Sequence, residues 1–235
     1  MPVWYWLFKH VVIGPIARWY VRPRWSGREH LPRTGPFILA GNHTTMIDPV
    51  VIALGVPRPV IFIAKAKYYT GTSLRRRALA WFLRAVGQVP IDPASAQTAN
   101  PGLETAGRVL RDGGVVALFP EGTRSPDGRL YRGRTGVMRL ALPHGVPVIP
   151  VVVRGTREVR LPGTGRPRRG RVQVTYDAPI DLSPWAGHPD DPAAWREATD
   201  ALMSRIARSS GQEYADRYVT DEERQERDRR TGTEP

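Results

Sequence analysis

Residues 42–49 have the sequence Asn-His-Thr-Thr-Met-Ile-Asp-Pro and stand between two apolar runs. The run before them, Phe37 to Ala40, is short and ends at a glycine, which is typical of a buried strand. The run after them begins at Pro49 and is long enough to start a helix, with Asp48 as its expected N-cap. The sequence therefore predicts a strand–loop–helix unit that carries His43 at the edge of a sheet, where α/β folds place many functional side chains.

His43 and Asp48 are close enough in sequence for the carboxylate to fold back onto the imidazole. Such a pair fixes the tautomer of the ring and leaves its second nitrogen able to take a proton from a hydroxyl group. The chain contains no cysteine, and no serine lies near His43, so the hydroxyl is expected to belong to a bound substrate. The pair alone leaves open an alternative, a helix-capping aspartate beside an incidental loop histidine.

Two later stretches carry further candidates. An apolar strand ending at Phe119 is expected to open into a glycine-containing loop, Pro120-Glu121-Gly122-Thr123-Arg124, and another apolar strand is expected from Val146 onwards. A loop of this kind can expose backbone N–H groups, and an arginine can bind phosphate through two parallel hydrogen bonds. Arg124 and the hydroxyl of Thr123 are thus candidate phosphate ligands, whereas Glu121 is expected to orient Arg124 or to accept a substrate hydroxyl.

The order of these blocks is informative. With His-x4-Asp first, residues 119–125 next and residues 146–151 last, the sequence resembles the glycerolipid acyltransferases over about residues 25 to 180. The resemblance implies an α/β fold in which helices flank a mixed β-sheet. It also implies transfer of a fatty acyl group from acyl-CoA or acyl carrier protein to a lysophospholipid acceptor, namely to the 2-hydroxyl of 1-acylglycerol-3-phosphate (lysophosphatidate), in phospholipid biosynthesis.

The resemblance also assigns roles to the motif residues. The expected catalytic residues are His43, as the general base that deprotonates the acceptor hydroxyl, and Asp48, which orients it and stabilises the imidazolium. The expected substrate-binding residues are Glu121, Gly122, Thr123 and Arg124. Within that loop, the arginine side chain and the backbone of the two residues before it are expected to hold the phosphate. Neither a cofactor nor a metal is required.

One position departs from the family pattern. The stretch from Gly87 to Pro93 resembles the family's second block, but the family typically ends this block with an arginine that helps to hold the acceptor's phosphate. In this chain Pro93 stands there instead. The departure keeps a second class of acceptor open, namely another lysophospholipid or a glycolipid.

The composition indicates an anionic partner. The chain has 235 residues, 41% of them hydrophobic, and a formal net charge of +13. One domain with a real core is expected, and the charge is typical of a protein that meets phospholipid headgroups, a phosphorylated substrate, an acidic carrier or nucleic acid. Nucleic acid is not expected as a partner, because no aromatic residues alternate with the arginines of the basic stretch 154–171. The charge alone would also permit a non-enzymatic basic membrane- or nucleic-acid-binding protein.

Residues 1–24 are expected to form a membrane-interface arm. They are rich in tryptophan and tyrosine and are followed by arginines, as is typical of a segment lying among lipid headgroups. Lys9 and Arg18 interrupt the apolar residues and argue against a spanning helix, and the pattern lacks the basic region and cleavage site of a signal peptide. Because Pro15 would kink a single helix, two short pieces are expected. The alternative is an arm packed on the protein's own core.

Residues 1–36 contain six Lys or Arg residues and one acid. Such an excess attracts an anionic membrane surface. The expected location is therefore the cytoplasmic face of the cell membrane, as a peripheral or monotopic protein.

The remaining assignments rest on apolar periodicity. A strand is predicted at 60–64, and helices are predicted at 74–86, 101–112 and 193–208. Residues 75–77 are three arginines, expected either on a solvated face or against phosphates. The catalytic domain is expected to span 25–212. Residues 213–235 are expected to be a charged, disordered tail, since 221–235 contain no apolar residue.

Overall fold

A mixed β-sheet organises the molecule. The computed structural model describes residues 3–65, 77, 81, 89–91, 101–159 and 168–230. The strands in these ranges are β1 (Arg24–Ser26), β2 (Phe37–Gly41), β3 (Val60–Lys65), β4 (Val89–Ile91), β5 (Val115–Leu118), β6 (Leu130–Tyr131), β7 (Val148–Arg154), β8 (Gln173–Tyr176) and β9 (Tyr214–Ala215). The α-helices are α1 (Val3–Leu7), α2 (Ile13–Tyr20), α3 (Asp48–Gly55), α4 (Pro101–Arg111), α5 (Gly136–His144), α6 (Pro192–Ser210) and α7 (Asp221–Arg230).

The main sheet has the strand order β1-β8-β7-β2-β5-β3-β4 within the described ranges. Strand β2 lies at its centre, parallel to β5 on one side and to β7 on the other. Strand β8 runs antiparallel to β7, which makes the sheet mixed. The predicted α/β fold, a mixed sheet flanked by helices, is confirmed.

Both faces of the central strand are covered. Successive side chains of a strand point to opposite faces, and in β2 Phe37 and Leu39 join one hydrophobic cluster while Ile38 and Ala40 join another. The first cluster includes residues of α3, and the second includes residues of α4, α5 and α6. This double coverage explains why β2 is a continuous apolar run rather than an alternating one.

Parallel pairing brings the ends of distant strands together. Because β2, β5 and β7 are parallel neighbours, their carboxyl ends lie at the same edge of the sheet. The loop that carries His43 leaves β2 at this edge, and the loop that carries Arg124 follows β5 there. The sheet therefore places the two sequence motifs side by side.

The N-terminal arm consists of two short α-helices joined by a π-helical turn, Phe8–Val12. At the turn the Ile13 N–H donates to the carbonyl of Phe8, five residues earlier. Gly14 is required here, since a Cβ at that position would collide with the Lys9 carbonyl oxygen. The predicted division into two pieces is confirmed, but the break is the π-turn that ends at Val12, and Pro15 lies inside the second helix.

The arm has a buried face and an exposed face. On the buried face the Tyr5 hydroxyl accepts from the Val60 N–H at 3.1 Å, and Lys9 Nζ donates to the carbonyls of Ala53, at 2.9 Å, and Val56. The exposed large apolar residues of the arm are Val3, Trp4, Trp6, Val11, Val12, Ile16 and Trp19. The alternative interpretation was an arm packed on the protein's own core. The structure shows such packing for one face of the arm, while the other face is exposed.

Lys9 is one of the six basic residues in 1–36, a set that is expected to attract an anionic membrane, but its side chain is buried. It is 8% exposed, and burial, together with Arg28 and Arg18, lowers the pKa of its ammonium to about 8. Its ammonium binds the carbonyls at the C-terminal end of α3, where a helix favours positive charge. None of the helices in the described ranges combines the length and hydropathy that a membrane crossing requires.

The expectation of a disordered tail is wrong for residues 213–230. Strand β9 pairs in parallel with β6, and α7 follows. The helix starts with a capping box: Thr220 N–H donates to the Glu223 carboxylate at 2.9 Å, and Glu223 N–H donates to the Thr220 hydroxyl at 3.3 Å. Buried Val219 and Arg227 attach the segment to the domain. Composition failed here because the opposite charges are paired along the helix, as in Arg230 with Glu226 at 2.7 Å.

Several expectations lie outside the described residues: most of the predicted helix 74–86 with Arg75 and Arg76, the departure at Pro93, residues 160–167 of the basic stretch, and residues 231–235. Arg77 and Trp81 are described as helical and exposed. The other predicted elements are confirmed with small shifts: the strand at 60–64 extends to Lys65, and the helices at 101–112 and 193–208 are α4 and α6.

Candidate active site

The start of the loop after β2 is held in place by hydrogen bonds of the Asn42 side chain. This side chain is 1% exposed, accepts from the Val153 N–H at 2.8 Å and donates to the Val153 carbonyl at 3.0 Å. It also donates to the side chain of Gln212 at 2.7 Å. Two hydrogen bonds to one backbone residue of β7 leave the next residue, His43, little freedom in position.

His43 and Asp48 form the pair that the sequence predicts. The imidazole Nδ1 lies 3.0 Å from Asp48 Oδ2, and the side chains are 16% and 0% exposed. The same Oδ2 accepts from the N–H groups of Thr44 and Thr45, each at 2.7 Å, and Oδ1 accepts from the Thr45 hydroxyl at 3.0 Å. A carboxylate held by four donors has a fixed position, and it fixes the plane of the ring in turn.

Asp48 is not the helix cap that the sequence suggested. Helix α3 begins at Asp48, and Ile47 stands at the N-cap position without a side-chain cap. The carboxylate turns back towards the preceding loop instead, where it satisfies the backbone of Thr44 and Thr45. The alternative of a capping aspartate beside an incidental histidine is therefore wrong.

The protonation of the pair follows from its surroundings. Burial alone would raise the pKa of Asp48, but hydrogen bonds from His43 and Thr45 hold it below its usual value. Burial lowers the pKa of His43; Asp48 opposes this shift, and the guanidinium groups of Arg124 and Arg227 add to it. An ionised Asp48 makes Nδ1 the donor, so a neutral His43 keeps Nε2 as the nitrogen that can take up a proton.

The loop after β5 packs directly on the histidine. The ring of Phe119 stacks on the imidazole with centroids 3.9 Å apart and planes 13° apart. The Ser125 N–H donates to the His43 carbonyl at 2.7 Å. The two motifs are therefore parts of one site.

Glu121 positions the backbone of the site. It is 4% exposed, and its two oxygens accept from the His43 N–H at 3.1 Å and the Tyr131 N–H at 2.9 Å. Burial raises the pKa of Glu121 to about 8, although both N–H groups favour its ionised form. The sequence suggested that Glu121 orients Arg124 or accepts a substrate hydroxyl; its hydrogen bonds instead connect the His43 loop to β6.

Gly122 is needed for the shape of the loop. Its φ of +69° lies in the left-handed region, and a Cβ there would come within 3.1 Å of the Arg134 side chain. Its N–H donates to the Phe119 carbonyl at 2.9 Å. This N–H is used within the turn. It is therefore not available as the backbone donor to phosphate that the sequence predicted.

Thr123 and Arg124 contact the C-terminal helix α7. Arg124 Nη2 lies 2.8 Å from Asp228 Oδ1, and the Thr123 hydroxyl accepts from Arg227 Nη1 at 2.9 Å. Sequence reasoning missed both α7 residues because it treated the segment as disordered. The available signal was the capping box Thr220-x-x-Glu223 followed by Glu226 four residues before Arg230.

Comparison with known proteins decides the family. The model of the acyltransferase family matches residues 22–154, more than half of the chain. The chain belongs to the acyltransferase family. The resemblance carried by the sequence motifs is thereby confirmed, and the matched region of this acyltransferase contains all of the motif residues in the two loops.

The acyltransferase is similar to proteins of known name. It is 28% identical over 181 residues to the 1-acyl-sn-glycerol-3-phosphate acyltransferase of Limnanthes douglasii, covering 76% of this chain and 62% of that protein. It is 25% identical over 186 residues to the enzyme of that name from Bacillus subtilis, covering 76% and 83%. The acyltransferase thus spans less than two thirds of the plant relative.

A solved structure has the same fold. The crystal structure of the 1-acyl-sn-glycerophosphate (LPA) acyltransferase PlsC from Thermotoga maritima superposes with a TM-score of 0.62, at 23% identity, over 86% of this acyltransferase and 80% of that chain. Among the described residues of the acyltransferase, no group of three or more His, Asp or Glu side chains is placed to hold a metal ion. What the site offers is a fixed, neutral imidazole beside clustered arginines, an arrangement suited to base catalysis on an anionic molecule.

Proposed function

We propose that this acyltransferase moves a fatty acyl group from acyl-CoA or acyl carrier protein to the 2-hydroxyl of lysophosphatidate. The observation that carries the proposal is the buried His43–Asp48 pair in the same site as Arg124. A neutral base suits a hydroxyl acceptor, and a guanidinium suits its phosphate. The names of the similar proteins from Limnanthes douglasii and Bacillus subtilis support the same acceptor.

The mechanism follows from the protonation of the pair. Nε2 of His43 takes the proton from the acceptor hydroxyl as the hydroxyl oxygen attacks the thioester carbonyl. Asp48 stabilises the imidazolium that results. When the tetrahedral intermediate collapses, the carbon–sulfur bond breaks and the proton on His43 passes to the departing thiolate. The products are phosphatidate and the free thiol, and the histidine is neutral again.

The experiment that tests the proposal is acyl transfer by the purified protein in detergent. Oleoyl-CoA and an acyl carrier protein thioester are offered in turn, with lysophosphatidate as acceptor, and the product is identified by mass spectrometry. Phosphatidate is the expected product. Transfer to another lysophospholipid or to a glycolipid, with none to lysophosphatidate, would contradict the proposed acceptor and favour the second class, which Pro93 keeps open.

The pH dependence of the reaction is a prediction from the site. Because burial lowers the pKa of His43 below its usual value of 6.5, kcat/KM is expected to rise with pH, with a midpoint below 6.5, and to be level at neutral pH. The rise marks deprotonation of the free enzyme's base. The check is a profile from pH 5 to 8 at constant ionic strength. A midpoint above 6.5 would mean that another group is the base.

We propose further that the exposed face of the arm lies on an anionic membrane at the cytoplasmic side. Trp6 and Trp19 are 51% and 62% exposed on this face. Tryptophan favours the headgroup region, because its apolar ring can contact the lipid while its N–H hydrogen-bonds to water. The protein would then lie at the surface of the bilayer that contains its lysophospholipid acceptor.

If the arm binds the membrane, substitution of its exposed tryptophans is expected to weaken membrane binding. Replacing Trp6 and Trp19 with serine is expected to weaken binding to anionic liposomes by about tenfold or more, because each ring removes apolar area from water. Flotation at two salt concentrations measures this, and the remaining binding should be salt-sensitive. The matched control is Tyr214→Ser, an exposed aromatic outside the arm. If the double variant floats as well as the wild type, the arm is not the anchor.

A further inference from the structure

Thr156 is a buried hydroxyl residue at the edge of the active site, outside the sequence motifs. It follows β7, which pairs in parallel with β2, so it leaves the sheet at the same edge as the His43 loop. It lies two positions beyond the matched region 22–154 and is 1% exposed. A buried hydroxyl costs free energy unless it is hydrogen-bonded. The partners of this hydroxyl therefore indicate what it does.

The backbone before Thr156 fixes its position. Gly155 has a φ of +84°, and a Cβ there would collide with the carbonyl oxygen of Arg171. Glycine adopts this conformation without strain. Thr156 then begins the 3₁₀ turn Thr156–Glu158, in which the Val159 N–H donates to the Thr156 carbonyl at 3.2 Å. The hydroxyl is thus attached to the end of the sheet and not to the His43 loop.

The Thr156 hydroxyl contacts both Thr44 and Asp48. Its Oγ1 lies 3.0 Å from Oγ1 of Thr44. Burial would raise the pKa of Asp48, and a hydrogen bond from the Thr156 side chain is among those that hold this pKa below its usual value. An ionised carboxylate has no hydrogen to donate, so Thr156 is the donor to Asp48. A hydroxyl has one hydrogen, and Thr44 therefore donates to Thr156.

The source of this donor distinguishes it from the others. Asp48 Oδ2 accepts from Nδ1 of His43 and from two N–H groups, and Oδ1 accepts from the Thr45 hydroxyl. These four donors all belong to residues 43–45, the loop that the carboxylate has to position. Thr156 supplies a fifth donor from a different strand. Its hydrogen bond ties the carboxylate to the sheet.

We propose that Thr156 is a positioning residue for the catalytic base, because its hydroxyl anchors Asp48 to the end of β7. Without this anchor, Asp48 and the loop that it holds can shift together relative to the sheet and to the bound acceptor. The orientation of His43 towards the acceptor hydroxyl then becomes less precise. This inference rests on the proposed function and adds to it a residue from outside the motifs.

The direction of the hydrogen bonds gives the two threonines different effects. Removing the Thr156 hydroxyl takes a donor from the carboxylate. Removing the Thr44 hydroxyl takes a donor only from Thr156, because Thr44 holds Asp48 through its backbone N–H. A pair of hydroxyls that only supported the fold would make the two substitutions equivalent. Their relative effects on kcat therefore separate positioning from structural support.

The experiment measures kcat and the KM for lysophosphatidate in the full-length protein. Thr156→Val removes the hydroxyl and keeps the shape, and it is expected to lower kcat by about tenfold, the lower end of what a hydrogen bond to a charged group contributes. KM should change little. Thr156→Ser keeps the hydroxyl and should restore most of kcat, and Thr44→Val should lower kcat less than Thr156→Val does.

The matched control is Thr175→Val. The Thr175 hydroxyl lies 3.0 Å from Ser26 Oγ in an exposed pair on the outer strands β8 and β1, so its loss should leave kcat unchanged. Thermal unfolding shows whether each variant is folded, and Thr156→Ala replaces Thr156→Val if the valine prevents folding. The inference is overturned if Thr156→Val stays within twofold of the wild type in kcat. Equal losses in Thr156→Ser or in Thr44→Val would overturn it too.

A measurement without turnover separates this inference from the proposed reaction. The proton on His43 Nδ1, which is hydrogen-bonded to Asp48, is observed by NMR and assigned by its loss in His43→Ala. Thr156→Val is expected to shift this resonance, and Thr175→Val is not. If the resonance shifts but the wild type forms no phosphatidate, the positioning role stands and the proposed reaction is wrong. If phosphatidate forms while Thr156→Val leaves both the resonance and kcat unchanged, the reaction stands and the positioning role is wrong.

Discussion

Replacing His43 with alanine is expected to reduce kcat for acyl transfer by about 10²- to 10⁴-fold, the range that a positioned general base contributes. The acceptor hydroxyl cannot lose its proton to another group as easily, because Asp48 is buried behind the ring and held by backbone donors. KM for lysophosphatidate is expected to change less than kcat, since Arg124 is intact. Steady-state rates with labelled thioester at varied lysophosphatidate concentration measure both values.

The matched control for this variant is His188→Ala, which removes an exposed imidazole from the loop before α6. It should leave kcat unchanged. Thermal unfolding of both variants tests whether the fold has been kept. Turnover in His43→Ala within tenfold of the wild type would rule out the proposed mechanism and would require another base.

Replacing Asp48 with asparagine is expected to lower both activity and stability. An amide NH₂ group cannot accept hydrogen bonds, and a neutral amide oxygen at the place of Oδ2 is a weaker acceptor than a carboxylate for His43, Thr44 and Thr45. Hydrogen bonds to a charged group contribute about 1.5–3 kcal/mol to the free energy of unfolding, so a loss of this size is expected when the carboxylate is replaced by a neutral amide. The wrong imidazole tautomer lowers kcat by up to about 10⁴-fold in comparable triads.

The stability loss in Asp48→Asn has a defined pH dependence. The native pKa of Asp48 lies below its usual value of 3.8, so its contribution to stability is complete above pH 3.8 and is lost as the pH falls through the native pKa. Denaturant unfolding at pH 7 and at decreasing pH should therefore show a difference between wild type and variant that shrinks in acid. The control is Asp112→Asn, an exposed aspartate. A variant as stable as the wild type at pH 7 would contradict the structural role.

The sequence was sufficient wherever the interactions are local. Residues 37–49 predict a strand, a loop and a helix because apolar runs and a glycine mark their ends, and the His43–Asp48 pair needs only one turn of chain to form. The resemblance to known acyltransferases identified the same loops.

The sequence was insufficient where function depends on contacts between distant residues. Arg227 and Thr123 are 104 positions apart, and the composition of residues 221–230 favours disorder until the pairing of their charges is considered. Glu121 faces the backbone of His43 and Tyr131 because of the way β6 packs, which no local pattern reports. The burial of Lys9 could not be predicted, because its partners are backbone carbonyl groups. Every residue has such a group, so no sequence pattern identifies the partners.

Helix α3 joins the arm to the site through a single rigid element. Asp48 is its first residue, and the carbonyls that Lys9 binds belong to Ala53, near its last turn, and to Val56, just after it. Eight helical residues extend about 12 Å, so the contacts of Lys9 and the carboxylate that holds His43 lie at opposite ends of one short helix. If the arm lies on a membrane as proposed, a change in its depth or tilt is expected to shift α3, and with it the carboxylate that orients His43.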